Sequence, residues 1–288
     1  MKNIYSIFSV FLLSILFWGC ELINPEEPIP AYIRIDTLRL NTTPQQGSDE
    51  HGLIDAWVFV NDNLLGIYQV PFEIPVLETG KNAVKILGGI KVNGQNEIRK
   101  DYPFLDFYTQ EVDFREEETV LLQPTFEFYP NIQFWIEDFE DPGVKFAASN
   151  GSDTSLIRTS DTLMVRDGNA SGVMYLDQTN RHGIVTTEKD FELPVGQPVY
   201  LEFDYNTDIP VSVGVFSEGL NSVTKINILT LFSTQERYSD GWNKMYLELS
   251  TAVSSVPGTP IEVFFESIIP QDTPEGRIIL DNIKIVYP

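Results

Sequence analysis

The chain has 288 residues and a formal net charge of −23, with 42% hydrophobic and 12% aromatic residues. A negative potential of this size repels nucleic acid and anionic lipid headgroups, so the charge excludes nucleic acid as a partner. The aromatic content and a mean hydropathy of −0.09 favour a packed protein over a disordered one. The acid excess suits cations, neutral ligands or a basic partner, although its commonest meaning is solubility.

The first twenty residues have the layout of an export signal. Lys2 precedes an apolar stretch at 4–18, and Gly19 and Cys20 follow it. About 15 residues are too few to cross a bilayer core that needs about 20, but they match the core of a signal peptide. Two interpretations of this layout are an ordinary secretory signal and a short membrane anchor, and the residues around Cys20 suggest a third.

The residues Phe17-Trp18-Gly19-Cys20 resemble a lipobox, the signature of bacterial lipoprotein signal peptides. The resemblance implies that a signal peptide at 1–19 is removed and that acyl chains such as palmitate are attached to Cys20. Lipid on Cys20 then anchors the protein to a membrane without spanning it.

Cys20 is also the only cysteine of the chain. A single cysteine excludes internal disulfides, and its use as the lipid anchor leaves no thiol for a zinc site or for catalysis. Residues 20–30 are rich in proline and acid and predict an extended tether. Glu21, Glu26 and Glu27 are similar to the acidic tags that direct Bacteroidota lipoproteins to the cell surface. The expected location is therefore the outer membrane, with the cell surface favoured over the periplasmic face.

Beyond the tether, the apolar runs are short, rich in Val, Ile, Phe and Tyr, and bounded by turn residues. No run keeps helical spacing over three turns, so the pattern predicts an all-β protein. The first predicted domain covers 31–130. Within it, a strand at 53–60, a turn at 61–63 and a strand at 64–68 predict a hairpin.

Residues 56–86 of this first domain resemble a PEGA-like or immunoglobulin-like surface domain. In that pattern a strand, a tight turn and a second strand lead through Pro71 and Pro75 to a strand headed by Gly80. The resemblance implies an immunoglobulin-like β-sandwich.

The second predicted domain covers 131–288. It opens with the acidic run 135–143, has a long strand near 199–205 and closes with the strand 276–287. These three segments look like the jelly-roll domains of carbohydrate-binding modules and of MAM-like surface domains. The resemblance implies that the all-β chain consists of two β-sandwich domains, an immunoglobulin-like one followed by a jelly roll.

Strand alternation in the second domain separates core residues from a face that combines aromatic rings with carboxylates. Val199, Leu201, Phe203 and Tyr205 point one way, and the residues between them point the other. If the strands share a sheet, rings and acids on the second face suit a glycan groove, whereas the alternative is a solvated outer face. The candidate ligand-binding residues are Tyr200, Glu202, Trp242, Tyr246 and Phe264.

Asp281 shares its predicted face with Ile279, Ile283 and Ile285, which places a carboxylate toward the core. A buried acid must be paired, hydrogen-bonded or bound to a cation. In the jelly-roll modules that this domain resembles, an acid of the last strand and acids of the first hold a structural Ca²⁺. The alternative is that Asp281 accepts hydrogen bonds from nearby backbone or lies at the sheet rim. The candidate ligands are Glu137, Asp138, Glu140 and Asp281.

The sequence offers little for catalysis. His51 and His182 are the only histidines, each in a polar, loop-like context, and no nucleophile elbow, phosphate loop or dinucleotide fingerprint is present. We therefore expect a non-enzymatic interaction or structural module. The favoured function is an accessory subunit of an outer-membrane protein assembly, which needs a wide apolar patch or an unprotected strand edge. The alternative is a cell-surface glycan-binding lipoprotein that uses the jelly-roll domain, which needs exposed rings on one sheet.

Overall fold

The structure is a computed structural model that describes residues 27–219, 222–234 and 241–288. The predicted signal peptide and the predicted lipidation site, Cys20, lie outside the described residues. Regular structure in the described part is β apart from one short helix, which confirms the all-β prediction. None of the helices in that part of the chain is long and apolar enough to cross a membrane.

Strand pairing divides the described chain into two units. The named strands up to residue 126 pair only with one another, and so do those from residue 133 onward. The strands of the N-terminal unit are β1 (Ala31–Ile35), β2 (Arg39–Leu40), β3 (Asp55–Val60), β4 (Asn63–Gln69), β5 (Phe72–Val76), β6 (Gly80–Lys91), β7 (Arg99–Asp101), β8 (Tyr108–Phe114), β9 (Thr119–Leu122) and β10 (Thr125–Phe126).

The elements of the C-terminal unit are longer on average and include the helix. They are β11 (Gln133–Glu137), β12 (Phe146–Ala148), β13 (Ile157–Thr159), β14 (Ser171–Asp177), β15 (His182–Thr187), β16 (Tyr200–Thr207), β17 (Val211–Gly219), β18 (Ser222–Leu231), β19 (Asn243–Glu248), α1 (Ser250–Ser255), β20 (Ile261–Ile268) and β21 (Glu275–Tyr287).

The N-terminal unit packs a three-stranded sheet, β5-β1-β9, against a five-stranded sheet in which β4, β3, β6 and β7 are neighbours and β8 pairs with β6. The predicted hairpin is β3–β4. Its turn residues Asn61 and Asp62 have φ of 49° and 63°, which Asn and Asp tolerate better than other non-glycine residues. Ile33 and Ile35 of one sheet and Val58 of the other belong to one buried core.

The C-terminal unit is a sandwich of two antiparallel sheets. One sheet has the order β13-β14-β21-β16-β19, with β11 also on β21, and the other has the order β12-β15-β20-β17-β18. From β14 to β21 the chain crosses between the two sheets at nearly every connection, as in a jelly roll. Leu201 and Phe203 of β16 lie in the core between the sheets, as their alternation predicts.

The predicted orientation of Asp281 is wrong, and a break in β21 explains the difference. Asn282 has a φ of 48°, and the pairing of β21 with β16 shifts register between Glu202 and Asp204. An irregularity of this kind reverses the facing of the residues that follow it. Ile283 therefore lies in the core, whereas Asp281 is buried on the outer face of the six-stranded sheet.

The N-terminal unit packs on that same outer face. Val92 forms a parallel bridge with Tyr246 of β19, and the Asn93 N–H donates to the Tyr246 carbonyl at 2.9 Å. The buried cluster of the N-terminal unit also continues into Tyr200, Tyr246 and Val286 of the C-terminal unit. The two units therefore share a buried interface.

Candidate functional site

Three of the predicted ligand-binding residues lie together, but they do not form an open groove. Glu202 of β16 stands opposite Tyr246 of β19, and Tyr200 lies on the same face, as alternation predicts. All three are buried beneath the N-terminal unit. Tyr102 donates a hydrogen bond to Glu202, and the Gly52 N–H donates to the Tyr246 hydroxyl at 2.9 Å. These side chains therefore form an interface between the two units and not the groove of exposed rings that a glycan site needs.

The interface buries charge as well as rings. Lys284 donates to the Ser48 carbonyl at 2.6 Å, and burial lowers the pKa of Lys284 to about 8. Lys244 and Asp204 form an ion pair at 3.2 Å in which both side chains are buried. Buried charges are tolerated when they are paired and hydrogen-bonded. The hydrogen bond from Lys284 to Ser48 therefore joins the two units inside this buried surface.

Trp242 occupies a separate place. It forms a small buried cluster with Met164, Val173 and Ile279 on the outer face of the six-stranded sheet. Met164 belongs to the segment between β13 and β14, so this segment packs on the sheet and covers Trp242. The structure brings Trp242 neither to Phe264 nor to an open groove.

Phe264 belongs to β20 of the other, five-stranded sheet. Its neighbours Val263 and Phe265 lie in the core, so Phe264 faces outward, as alternation predicts. The Phe216 ring of β17 lies 4.8 Å from the Phe264 ring, tilted by 41°. Phe264 is fully buried beneath its neighbours, whereas Phe216 is only partly buried. A ligand on this face would therefore contact Phe216 before Phe264.

Charged groups cover this pair of rings. The Lys225 Nζ lies 5.6 Å from the Phe216 centroid and 4.9 Å from the Phe264 centroid, within the range of cation–π attraction. The same ammonium group pairs with Glu266 at 2.5 Å. Glu266 also lies 3.0 Å from Nε2 of His182. We call the surface formed by Phe216, Lys225, Glu266 and His182 over Phe264 the outer-face site.

The electrostatics of the outer-face site hold Glu266 in its charged form. Burial raises the pKa of Glu266, but hydrogen bonds from Lys225 and His182 outweigh this effect and bring the pKa below its usual value. On the neighbouring Glu262, burial and then the charge of Asp190 raise the pKa. The site therefore offers one fixed cation, one fixed anion and a more easily protonated acid around an aromatic surface.

Most of this site could not be predicted from the sequence. Glu266 and Phe264 fall on one predicted face, but Phe216 and Lys225 come from strands about 40 to 50 residues earlier. His182 is the first residue of β15, not part of a loop as expected. Gly214 is a sequence feature that could have indicated this site, because a glycine inside a strand often marks a place where another backbone or a ring approaches closely. A Cβ at Gly214 would overlap the Ile226 carbonyl and lie 2.9 Å from the Phe264 ring.

The predicted calcium ligands are occupied by N–H and O–H donors. Oδ2 of Asp281 accepts from the Ser171 hydroxyl at 2.6 Å and from the Arg166 N–H at 3.2 Å. Oδ1 accepts from the Asn282 N–H at 2.8 Å. Burial raises the pKa of Asp281 to about 6 despite these bonds. The surroundings correspond to the backbone-bonded alternative, not to a cation site.

The acids of the opening strand make similar contacts. Glu137 accepts from the backbone N–H groups of Phe139 and Lys145. Glu140 accepts from the N–H of Asn169 at 2.6 Å, which lowers its pKa, and Asp138 accepts from the N–H of Glu140. Ca²⁺ needs six to eight oxygen ligands. These residues do not fit the ion, and the described part of the chain has no group of three or more acids, histidines or cysteines placed to hold a metal.

Comparison with known proteins gives similarity at the level of architecture. No family model and no curated protein matches the chain. A solved carbohydrate-binding module of the β-sandwich superfamily has 15% identity and a TM-score of 0.39, covering 82% of this chain and 87% of its own. A xylan-binding domain from Paenibacillus barcinonensis has 14% identity and a TM-score of 0.39, covering 53% and 92%.

A family 29 carbohydrate-binding module has 13% identity and a TM-score of 0.35, covering 54% of this chain and 86% of its own. These neighbours are β-sandwich carbohydrate-binding modules, the kind of protein that the sequence of the second domain resembles. The similarity is one of fold alone.

Proposed function

We propose that this chain is a non-catalytic, lipid-anchored protein of the outer membrane that binds a glycan at the cell surface through the outer-face site. The observation that carries the proposal is the Phe216–Phe264 ring pair beneath the ion-paired Lys225 and Glu266. An aromatic surface suits the apolar C–H face of a sugar ring, and the charged groups beside it can bond to sugar hydroxyls.

The charge of the site favours a neutral glycan. Lys225 is neutralised by Glu266, and the chain as a whole carries a net charge of −23, which repels anionic polysaccharides. A neutral oligosaccharide avoids that repulsion and still meets donors and acceptors held in place by their mutual bonds. Hexasaccharides of glucose, xylose and mannose are suitable probes, because all three are neutral and differ only in the sugar unit.

A glycan array with the purified full-length chain in mild detergent tests the proposal. We expect retention on at least one neutral glycan, and loss of that retention in Phe216→Ala. Tyr175→Ala is the matched control, since Tyr175 is an exposed ring on the other sheet, 45% accessible. Retention of no glycan, or equal retention by Phe216→Ala, would contradict the proposal.

A second candidate function is an accessory subunit of an outer-membrane protein assembly, and the edge strand β4 favours it. β4 is the outermost strand of its sheet, and Asn63–Gln69 contains neither charge nor proline. Leu64 and Ile67 are 49% and 44% exposed. Edges without such protection accept strands from partner proteins.

Affinity purification from detergent-solubilised outer membrane separates the two functions. A subunit co-purifies with a partner in fixed stoichiometry, and Ile67→Lys should release that partner while leaving glycan retention intact. Recovery of the lipoprotein alone would count against the subunit function.

A further inference from the structure

A cleft lies between the two units at the end of the interface. It has a volume of about 560 Å³, within the usual size range of ligand pockets. Lys100, Asp101 and Pro103 of the N-terminal unit line one side. Pro198, Tyr200 and Glu248 of the C-terminal unit line the other, together with hydroxyl groups of α1. The cleft is remote in the fold from the outer-face site, which lies on the opposite sheet.

The Tyr200 hydroxyl is the feature of the cleft that points to a ligand. Tyr200 is only 2% exposed, and its ring is held by edge contacts with Tyr102 at 5.5 Å and Phe104 at 5.8 Å. The neighbouring Tyr102 and Tyr246 hydroxyls both have hydrogen-bond partners. Among the hydrogen bonds of the described residues, none involves the Tyr200 hydroxyl.

In the described part of the chain the Tyr200 hydroxyl is not one of the buried polar atoms without a partner, so the small exposed part of Tyr200 includes it. The Tyr200 hydroxyl remains a neutral donor, because burial and the nearby charges of Glu248 and Asp101 raise the pKa of Tyr200. Since the exposed hydroxyl belongs to a residue that lines the cleft, it opens into the cleft. A ligand in the cleft would meet a hydrogen-bond donor that is fixed in place, because the packed Tyr200 ring cannot rotate.

The other lining groups define the chemistry of the ligand. Lys100 and Glu248 neutralise each other at 3.0 Å, and Asp101 adds an acceptor. The Ser250 hydroxyl accepts from the Val199 N–H at 3.1 Å, which leaves its proton free to donate. Donors, acceptors and the apolar faces of two prolines match a molecule with hydroxyls around a C–H framework. Two acids in the lining disfavour an anion.

We propose that this cleft binds a neutral saccharide of two or three units, with the Tyr200 hydroxyl donating to a sugar oxygen and Glu248 and Asp101 accepting from sugar hydroxyls. The bound saccharide contacts both units at once. Binding in the cleft does not depend on the outer-face site, and the chain then holds a glycan at two separate places.

Titration calorimetry of the full-length chain with cellotriose, xylotriose and mannotriose tests the proposal. Phe216→Ala removes the outer-face site and leaves the cleft unchanged, so it isolates binding in the cleft. We expect Phe216→Ala to retain one site per chain for at least one trisaccharide. Adding Tyr200→Phe, which removes only the hydroxyl, should weaken that binding by about fivefold, the effect of one neutral hydrogen bond.

The melting temperature of each variant shows whether its structure is intact. Thr251→Val in the same background removes an exposed hydroxyl from the lining of the cleft, so it tests that lining independently of Tyr200. Binding that disappears in Phe216→Ala alone overturns the cleft site and leaves the outer-face site standing. Equal affinities with and without the Tyr200 hydroxyl also overturn it. Failure of the wild-type chain to bind any trisaccharide overturns the cleft, while the array with longer glycans separately decides the outer-face site.

Discussion

The hydroxyl of Tyr102 donates a hydrogen bond to the carboxylate of Glu202, and this contact joins the N-terminal unit to the outer face of the jelly roll. Both side chains are buried, and burial, followed by the charge of Glu202, raises the pKa of Tyr102 well above its usual value. The face that alternation predicts to be open is thus sealed by the preceding unit. A ligand must therefore bind elsewhere, at the outer-face site or in the cleft at the end of the interface.

Tyr102→Phe tests the energetic weight of this contact. Removing the hydroxyl leaves a buried carboxylate without its donor, so we expect a loss of about 1–3 kcal/mol in the free energy of unfolding. Urea denaturation followed by tryptophan fluorescence and circular dichroism measures it. Tyr108→Phe, at the surface, is the control and should change stability by less than about 0.5 kcal/mol. Equal stability of Tyr102→Phe and the wild-type chain would contradict the account.

Asp281→Asn should change how stability depends on pH. The folded-state pKa of Asp281 is raised from 3.8 to about 6, so the folded state holds this proton more tightly than the unfolded state. The resulting stabilisation is complete below pH 3.8 and is lost as the pH rises through 6, by about 3 kcal/mol in total. We expect the difference in stability between wild type and Asp281→Asn to vary over this window. A constant difference between pH 3.5 and 7 would disprove the assignment.

Gly214→Ala should damage the outer-face site from beneath. The added Cβ overlaps the Ile226 carbonyl and approaches the Phe264 ring at 2.9 Å, so β17 and β18 must separate or the rings must move. We expect destabilisation of about 1–3 kcal/mol, typical of overpacking, together with weaker glycan retention. Gly143→Ala is the control, because a Cβ at Gly143 meets nothing within 4 Å. Wild-type stability in Gly214→Ala would contradict the described packing.

Chelation should leave the protein unchanged. The carboxylates of Glu137, Glu140 and Asp281 accept hydrogen bonds from N–H and O–H donors, which occupy the positions that a cation would need. We expect the melting temperature with excess EDTA to equal that without it, measured by differential scanning fluorimetry. A lower melting temperature that added Ca²⁺ restores would bring back the calcium site predicted from the resemblance.

Alternation within single strands predicts most of the fold. It separates Leu201 and Phe203 from Tyr200 and Glu202, and Val263 and Phe265 from Phe264, because one side of each strand faces the core. The β3–β4 hairpin follows from its turn residues in the same way. These features depend on neighbouring residues, so one sequence is enough to find them.

The rest depends on contacts between distant segments. Alternation shows that Tyr246 faces outward but not that Gly52, 194 residues away, covers it. It also fails at Asn282, where a positive φ in a strand reverses the facing of Asp281. Lys284, placed among isoleucines in the last strand, is the one sequence signal of the buried interface. The partners of Phe264 come from three strands, so only the sheet order brings them together.

Titration calorimetry with cellohexaose, xylohexaose and mannohexaose tests glycan binding by the outer-face site most directly. We expect the full-length chain to bind at least one of them and Phe216→Ala to weaken this binding by about tenfold or more, equivalent to about 1.4 kcal/mol. Tyr175→Ala should bind like the wild-type chain. Affinity that is the same in Phe216→Ala as in the wild-type chain, or no binding of any hexasaccharide, would contradict the account.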